Sequence, residues 1–258
     1  MANESVIYDK KDGIATITLN RPAKRNAINL GMRNEIMAAL RDAGDDDSVR
    51  AVILTGGTEV FCSGVDLTDT PPVTLWQKVS PKRTYQYYYL VEDMGKPVIA
   101  AIAGYCLAGG LELACTCDIR IAADNALLGD AHAKAGVFPG GGSTQRLPRL
   151  VGIAKAKELI FSGEPISAAE AERIGLVNKV VPTASLLAEA RKLAELYKSR
   201  PPLVIKLAKA AINDGMQMPM AQGLDYETKC QAIVHTTEDY KEAMTAFKEK
   251  RKPVFKGQ

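Results

Sequence analysis

The chain has 258 residues, 47% of them hydrophobic and 24% charged, a balance that fits a globular protein and excludes a fibrous or disordered one. Thirty-three basic and 30 acidic residues leave a formal net charge of +3, too small to argue for a nucleic-acid partner. No apolar run reaches the ~18 residues a membrane span needs, and two histidines with five scattered cysteines make neither a zinc site nor a disulfide framework.

Val6 to Tyr8 and Ile14 to Leu19 are predicted strands joined by a turn at Asp12-Gly13, because the second run is β-branched or apolar throughout. From Leu30 to Ala43, Met32, Ile36, Met37 and Leu40 recur at helical spacing. Ala51 to Thr55, Pro97 to Ile102 and Ile119 to Ala122 are short apolar runs, the pattern of strands buried on both faces. Between the first two, Pro71 to Arg83 is a long irregular segment holding Trp76, which fits a functional lid or a surface insertion. After Pro139 the texture becomes helical: Ile153 to Phe161, Ala168 to Ile174, Ser185 to Tyr197, Val204 to Asn213 and Asp239 to Lys248. Ser167 and Glu170 form a capping box, Gly175 sits at a helix end, and Leu176 to Val181 is one late strand. The predicted class is α/β, with a core over 1–195 and a helical region over 196–258. An odd cysteine count, and an N-terminus with neither an apolar core nor an Arg-rich stretch, predict a soluble cytoplasmic protein.

Chemistry concentrates in three glycine-containing segments that follow buried strands: Phe61 to Leu67, Gly104 to Ala114 and Gly136 to Leu147. In the second, a helix is expected to begin near Gly109. The first N–H groups of a helix lack internal partners and carry the positive end of its dipole, so Gly109 and Gly110 are natural donors to an anionic oxygen. Glu112 falls about a turn later, where a carboxylate is a poor anion binder but a good proton carrier. The same residues also fit a turn built for tight helix–strand packing, with Glu112 favouring the helix start. In the first segment, Gly64-Val65-Asp66 can turn a second backbone N–H inward, or form an ordinary turn capped by Asp66. Two N–H groups converging on one carbonyl oxygen make an oxyanion hole.

The ordered set of motifs resembles the crotonase (enoyl-coenzyme A hydratase/isomerase) superfamily over nearly the whole chain. The carrying residues are Leu19-Asn20-Arg21-Pro22 with Asn26-Ala27, then Phe61 to Leu67, Ala101 to Ala114 and Cys117 to Arg120. Gly136 to Leu147, Ala168 to Val181 and Ala246 to Arg251 complete the set. The resemblance implies a spiral of ββα units with C-terminal helices that build a homotrimer or a dimer of trimers. It implies oxyanion donors at Val65 and Gly109, and an acyl-coenzyme A thioester substrate whose coenzyme is part of the substrate, with no other cofactor and no metal. The coenzyme path would run along Lys24, Arg25, Ala27, Ser63, Gly64, Asp66, Leu67 and Gly110, with Phe247 and Lys250 reaching the nucleotide end, commonly from a neighbouring subunit.

Hydratases of this family use two glutamates. The first corresponds to Glu112; counting back from Gly136 and Pro139, the place of the second is taken by His132. An imidazole exchanges protons near neutral pH, so hydration of a 2-enoyl thioester stays the leading expectation, with Glu112 and His132 as acid and base. The departure leaves the isomerase, decarboxylase and carbon–carbon hydrolase branches as alternatives. Asp130 either orients the imidazole or is a surface acid. An RNA-binding relative would need a continuous basic face, and the mixed charges of Arg33 to Arg50, with Asp45 to Asp47, argue against one.

Overall fold

The computed structural model describes residues 5–69 and 86–258. The Pro71 to Arg83 segment with Trp76, and Tyr85, lie outside the described residues.

The chain opens with strands β1 (Val6–Lys11) and β2 (Ile14–Leu19), antiparallel partners joined at Asp12 and Gly13, which have φ of 52° and 74°. Two successive left-handed residues suit the turn of a two-residue hairpin, hence the Asp-Gly pair. Helix α1 (Leu30–Asp45) is capped by Asn29, whose side chain accepts from Met32 N, and buries Met32, Ile36, Ala39 and Leu40. Strand β3 (Ala51–Thr55) is buried at every position. Helix α2 (Gln86–Glu92), which the sequence patterns leave unassigned, buries Tyr87, Tyr88 and Val91. Then come β4 (Val98–Ile102), β5 (Tyr105–Leu107), α3 (Gly109–Thr116), β6 (Ile119–Ala123) and β7 (Leu127–Gly129). Helices α4 (Ser143–Val151) and α5 (Ile153–Ser162) follow, then β8 (Ile166–Ser167), α6 (Ala168–Arg173) and β9 (Lys179–Val181). The last third is α7 (Leu186–Lys198), α8 (Pro202–Gly215), α9 (Met220–His235) and α10 (Glu238–Glu249).

Two sheets organise these elements. The larger has the order β1-β2-β3-β4-β6-β9, parallel from β2 onward; the smaller has the order β5-β7-β8. Cys62 joins the smaller sheet through a parallel bridge to Cys106. The turns β4-β5-α3 and β6-β7-α4 each give a strand to the large sheet and a shorter one to the small sheet, then a helix, and β3 with the Cys62 bridge and α2 follows the same plan, which is the expected ββα spiral. The large sheet is covered on both faces. One face packs with α1, α2 and α3 in the main core; the other packs Ile14, Ile53, Ile99 and Ile121 against Leu186, Ala190 and Ala194 of α7. Full burial of such a side chain contributes about 1.5–3 kcal/mol, so β3 and β4 contain no exposed position to make polar. A boundary drawn at 195/196 falls inside α7, whose body lies on the sheet; the chain leaves the sheet only at Ser199 to Pro201.

Ser167 Oγ accepts from Glu170 N at 3.2 Å and Gly175 takes φ 78° beyond α6, so the serine half of the capping box and the helix stop read from sequence are present, while the Glu170 carboxylate turns to Arg173 at 2.6 and 2.7 Å. The late strand is shorter than its apolar run, because Leu176 and Val177 are buried in the core before β9 begins.

Candidate active site

Two loops from successive turns of the spiral meet at the start of α3. The first runs from Cys62 through Gly64 (φ 116°) to Asp66 and is stitched to the segment before α1: Ile28 N donates to Gly64 O at 2.8 Å, and Asp66 N to Ile28 O at 3.0 Å. A parallel bridge of this kind turns the N–H of the residue between, Val65, to the opposite side. The second loop ends at Ala108, whose φ of 47° and ψ of −120° are unfavourable for a residue with a Cβ and cost on the order of 1–3 kcal/mol. That kink aims the first N–H of α3, on Gly109, out of the helix. Among the described residues, no hydrogen bond uses the N–H of Val65 or of Gly109. The loops touch closely: a Cβ added to Gly109 would lie 3.4 Å from Val65 N, and one on Gly64 would lie 3.4 Å from Gly109 N. Glycine at both places is what lets the two donors face the same small space.

Glu112, one turn into α3, is 2% exposed. Its Oε1 accepts from Gly141 N at 2.7 Å and Ser143 N at 3.2 Å, both at the start of α4. Its Oε2 is 3.5 Å from the Tyr88 hydroxyl, which donates to Gly109 O at 3.0 Å, and 3.8 Å from His132 Nε2. Burial raises the Glu112 carboxyl above the ordinary carboxylate range, against the opposing pull of His132 and the two N–H groups. A carboxyl whose anchored oxygen is fixed and whose free oxygen faces an imidazole can accept and return a proton.

His132 is partly exposed, and its Nδ1 is 2.7 Å from Asp130 Oδ1. Burial pushes the imidazole down, but the Asp130 hydrogen bond and the charges of Asp130 and Glu112 outweigh it, so the net shift is upward. Asp130 is not a surface acid: it is 0% exposed. Sequence spacing held that alternative open because two residues of separation do not say which way a loop carboxylate turns. Tyr88 and the Gly141 and Ser143 N–H groups were not legible as supports for Glu112. The only available signal was a glycine-rich run after a buried strand, without the helix start at Ser143 that orients it. The cradle is braced in turn by Arg146, which donates to Gly141 O at 2.7 Å and to both Glu92 oxygens at 2.5 and 2.6 Å.

The other sequence-predicted positions divide. Arg25, Ser63 and Gly110 lie against the same loops: Ser63 N donates to Arg25 O at 3.0 Å, and Gly110 packs on Cys62, while Lys24 and Ala27 flank Arg25 in a turn closed by Ala27 N donating to Lys24 O at 3.0 Å. Lys24 and Arg25 are exposed, Arg25 sits 5.5 Å over the Tyr105 ring, and Leu67 is 67% exposed. The Asp66 carboxylate is buried and turned inward, accepting from Thr68 at 2.6 Å and Arg21 at 3.1 Å. Phe247 and Lys250 stand apart at the end of α10, which packs on α9; Phe247 is 82% exposed and Lys250 takes φ 55° as the helix cap. His235 stacks on Tyr240 with centroids 4.6 Å apart.

A ββα spiral of this topology, with a buried carboxyl near the start of one helix facing an imidazole from a neighbouring loop, defines an enzyme of the crotonase fold. The chain belongs to the enoyl-CoA hydratase/isomerase family, whose model it matches over residues 9–258. It is 42% identical to the crotonyl-CoA hydratase of Syntrophomonas wolfei, with 99% of each chain covered. It is also 42% identical to the short-chain-enoyl-CoA hydratase of Clostridium acetobutylicum, covering 98% of this chain and 97% of the relative. Among solved structures, the enoyl-CoA hydratase from Bacillus anthracis superposes with a TM-score of 0.93 at 40% identity, over 98% of this chain and 100% of that one.

Proposed function

We propose that the enzyme hydrates a 2-enoyl-CoA thioester, and catalyses the reverse elimination of water. The observation that carries this reading is the Glu112–His132 pair, 3.8 Å apart, beside the two backbone donors of Val65 and Gly109. The thioester oxygen accepts from both N–H groups, which stabilise the enolate in a preformed site. Glu112, ionised, takes a proton from water as its oxygen bonds to the β-carbon. The electron pair of the double bond moves into the enolate, and the Nε2–H of protonated His132 delivers a proton to the α-carbon. Transfer of the proton from Glu112 to His132 resets the pair. The elevated basicity of Glu112 and the upward shift of His132 both favour these roles.

Lys24, Arg25, Ala27, the Ser63 to Leu67 loop and Gly110 would line the coenzyme path. Phe247 and Lys250 would reach the nucleotide end across a subunit boundary in a homotrimer or a dimer of trimers, and the protein would work in the cytoplasm without a further cofactor. Incubation with a panel of enoyl-CoA thioesters, followed by chromatography and mass spectrometry, tests the reading: a product heavier by one water is expected, and the matched free acids should be untouched. A histidine where the family's hydratases carry a second glutamate favours one rival, another reaction through the same enolate. A product of unchanged mass and new retention time, or one lighter by carbon dioxide, would establish it.

A further inference from the structure

Asp130 follows β7, and its carboxylate reaches two groups of one residue: Oδ1 is 3.2 Å from the His132 N–H and 2.7 Å from His132 Nδ1. The first contact alone is an Asx turn, a purely local device. The second is different, because the carboxylate is fully buried and, among the described residues, its other oxygen, Oδ2, has no hydrogen-bond partner. A buried carboxylate needs a countercharge or it stays protonated. The Asp130 carboxyl is held below the ordinary range: burial raises it, and the opposing interactions, led by the hydrogen bond with His132, outweigh burial. Among the described residues, the charged groups acting on His132 are Asp130 and Glu112, while Lys134 on the following turn is exposed and paired with Glu164 at 2.8 Å. Arg146 is committed to Glu92.

We propose that Asp130 is a positioning residue that locks the His132 ring with Nδ1–H turned inward and Nε2 toward Glu112, and keeps on that ring the proton delivered to the substrate. The ring orientation follows from bonding: an acceptor at Nδ1 requires a proton there, so in the neutral ring Nε2 is the bare nitrogen, and it takes up the mobile proton. A second glutamate would need no such partner. The carboxylate next to the histidine and the histidine itself therefore form one unit that replaces it. This inference rests on the proposed hydration, and its test separates the two.

Asp130→Asn keeps the Asx turn and an oxygen facing Nδ1 but removes the charge. The expected result is a fall in kcat of roughly 10- to 10²-fold, the worth of one charge-assisted hydrogen bond, with unchanged KM and with the basic limb of the pH–rate profile moved to lower pH. The His132→Glu background reverses the sign. Asp130 then opposes a second carboxylate, so D130N/H132E should turn over faster than H132E. A basic limb that stays in place in D130N, with no reversal in the double variant, overturns the inference while leaving hydration standing. Absence of any hydrated product from the native enzyme overturns the hydration reading instead. A readout independent of turnover uses the native protein. The chain has two histidines, His132 and His235, and a His235→Gln variant identifies the His132 resonances in ¹⁵N spectra. Protonation of neutral His132 at Nδ1 supports the inference, and protonation at Nε2 overturns it, whether or not D130N folds.

Discussion

Gly110→Ala separates packing from chemistry at the proposed oxyanion hole. The added Cβ would stand 2.4 Å from Cys62 O, 2.8 Å from Cys62 Cβ and 3.0 Å from Cys62 C. Cys62 cannot yield: its N donates to Tyr105 O, its O accepts from Leu107 N, both at 2.9 Å, and Phe61 N is tied to Ala103 O at 2.7 Å. The helix start must move instead. Restoring an ordinary contact of 3.4 Å from 2.4 Å takes about 1 Å of separation between α3 and the Cys62–Val65 loop. Alanine is favoured over glycine in a helix by about 1 kcal/mol, but overpacking of this kind costs about 1–3 kcal/mol, so the variant should lose modest stability. Its larger effect is on rate. The donors of Val65 and Gly109 sit on opposite sides of the displaced contact, and a 1 Å misplacement can cost about 10²-fold. Steady-state kinetics on an enoyl-CoA thioester, with thermal unfolding of the same sample, should show kcat down by about that factor and a small drop in Tm. A variant with native kcat would mean that the donors do not act together on one oxygen.

The remaining predictions concern the acid–base groups and the thiols. Glu112→Gln should lower turnover by roughly 10²–10⁴-fold and leave the affinity for a coenzyme A thioester, measured by calorimetry, nearly unchanged; normal turnover would reduce Glu112 to a helix-start residue. The native pH–rate profile should be bell-shaped. Activity rises as pH passes the elevated Glu112 value, because the base must be ionised, and falls as pH passes the elevated His132 value, because the acid must be protonated. His132→Ala should remove the basic limb and most of the turnover, and a persisting limb would assign it to another group. Cys62 and Cys117 are buried, and burial pushes each thiol up to about 12. A charged thiol reagent at neutral pH should therefore leave both unmodified until the protein unfolds, as peptide mass mapping would report.

Much of this fold was legible in the residues themselves. The hairpin at Asp12-Gly13, the buried strands at Ala51–Thr55 and Val98–Ile102, and the Ser167 cap depend on local chemistry: left-handed turn preference, apolar runs and a side-chain oxygen three residues before its donor. Glu112 one turn beyond Gly109 was legible for the same reason, since a helix fixes the spacing of its own residues. The small sheet was not legible, because β5, β7 and β8 have three, three and two residues, too few for any period to register. Nor was α2, whose apolar face shows only once it packs in the core. Above all, tertiary structure decided what surrounds the proton carriers. The N–H groups that hold Glu112 come from 29 and 31 residues away. The burial that makes Asp130 a partner of His132, rather than a solvated acid, belongs to no segment alone. Sequence determined which groups could carry a proton and an oxyanion. Only the folded chain decided which way they face and how far from water they stand, because burial and orientation arise from contacts between segments that local spacing does not encode.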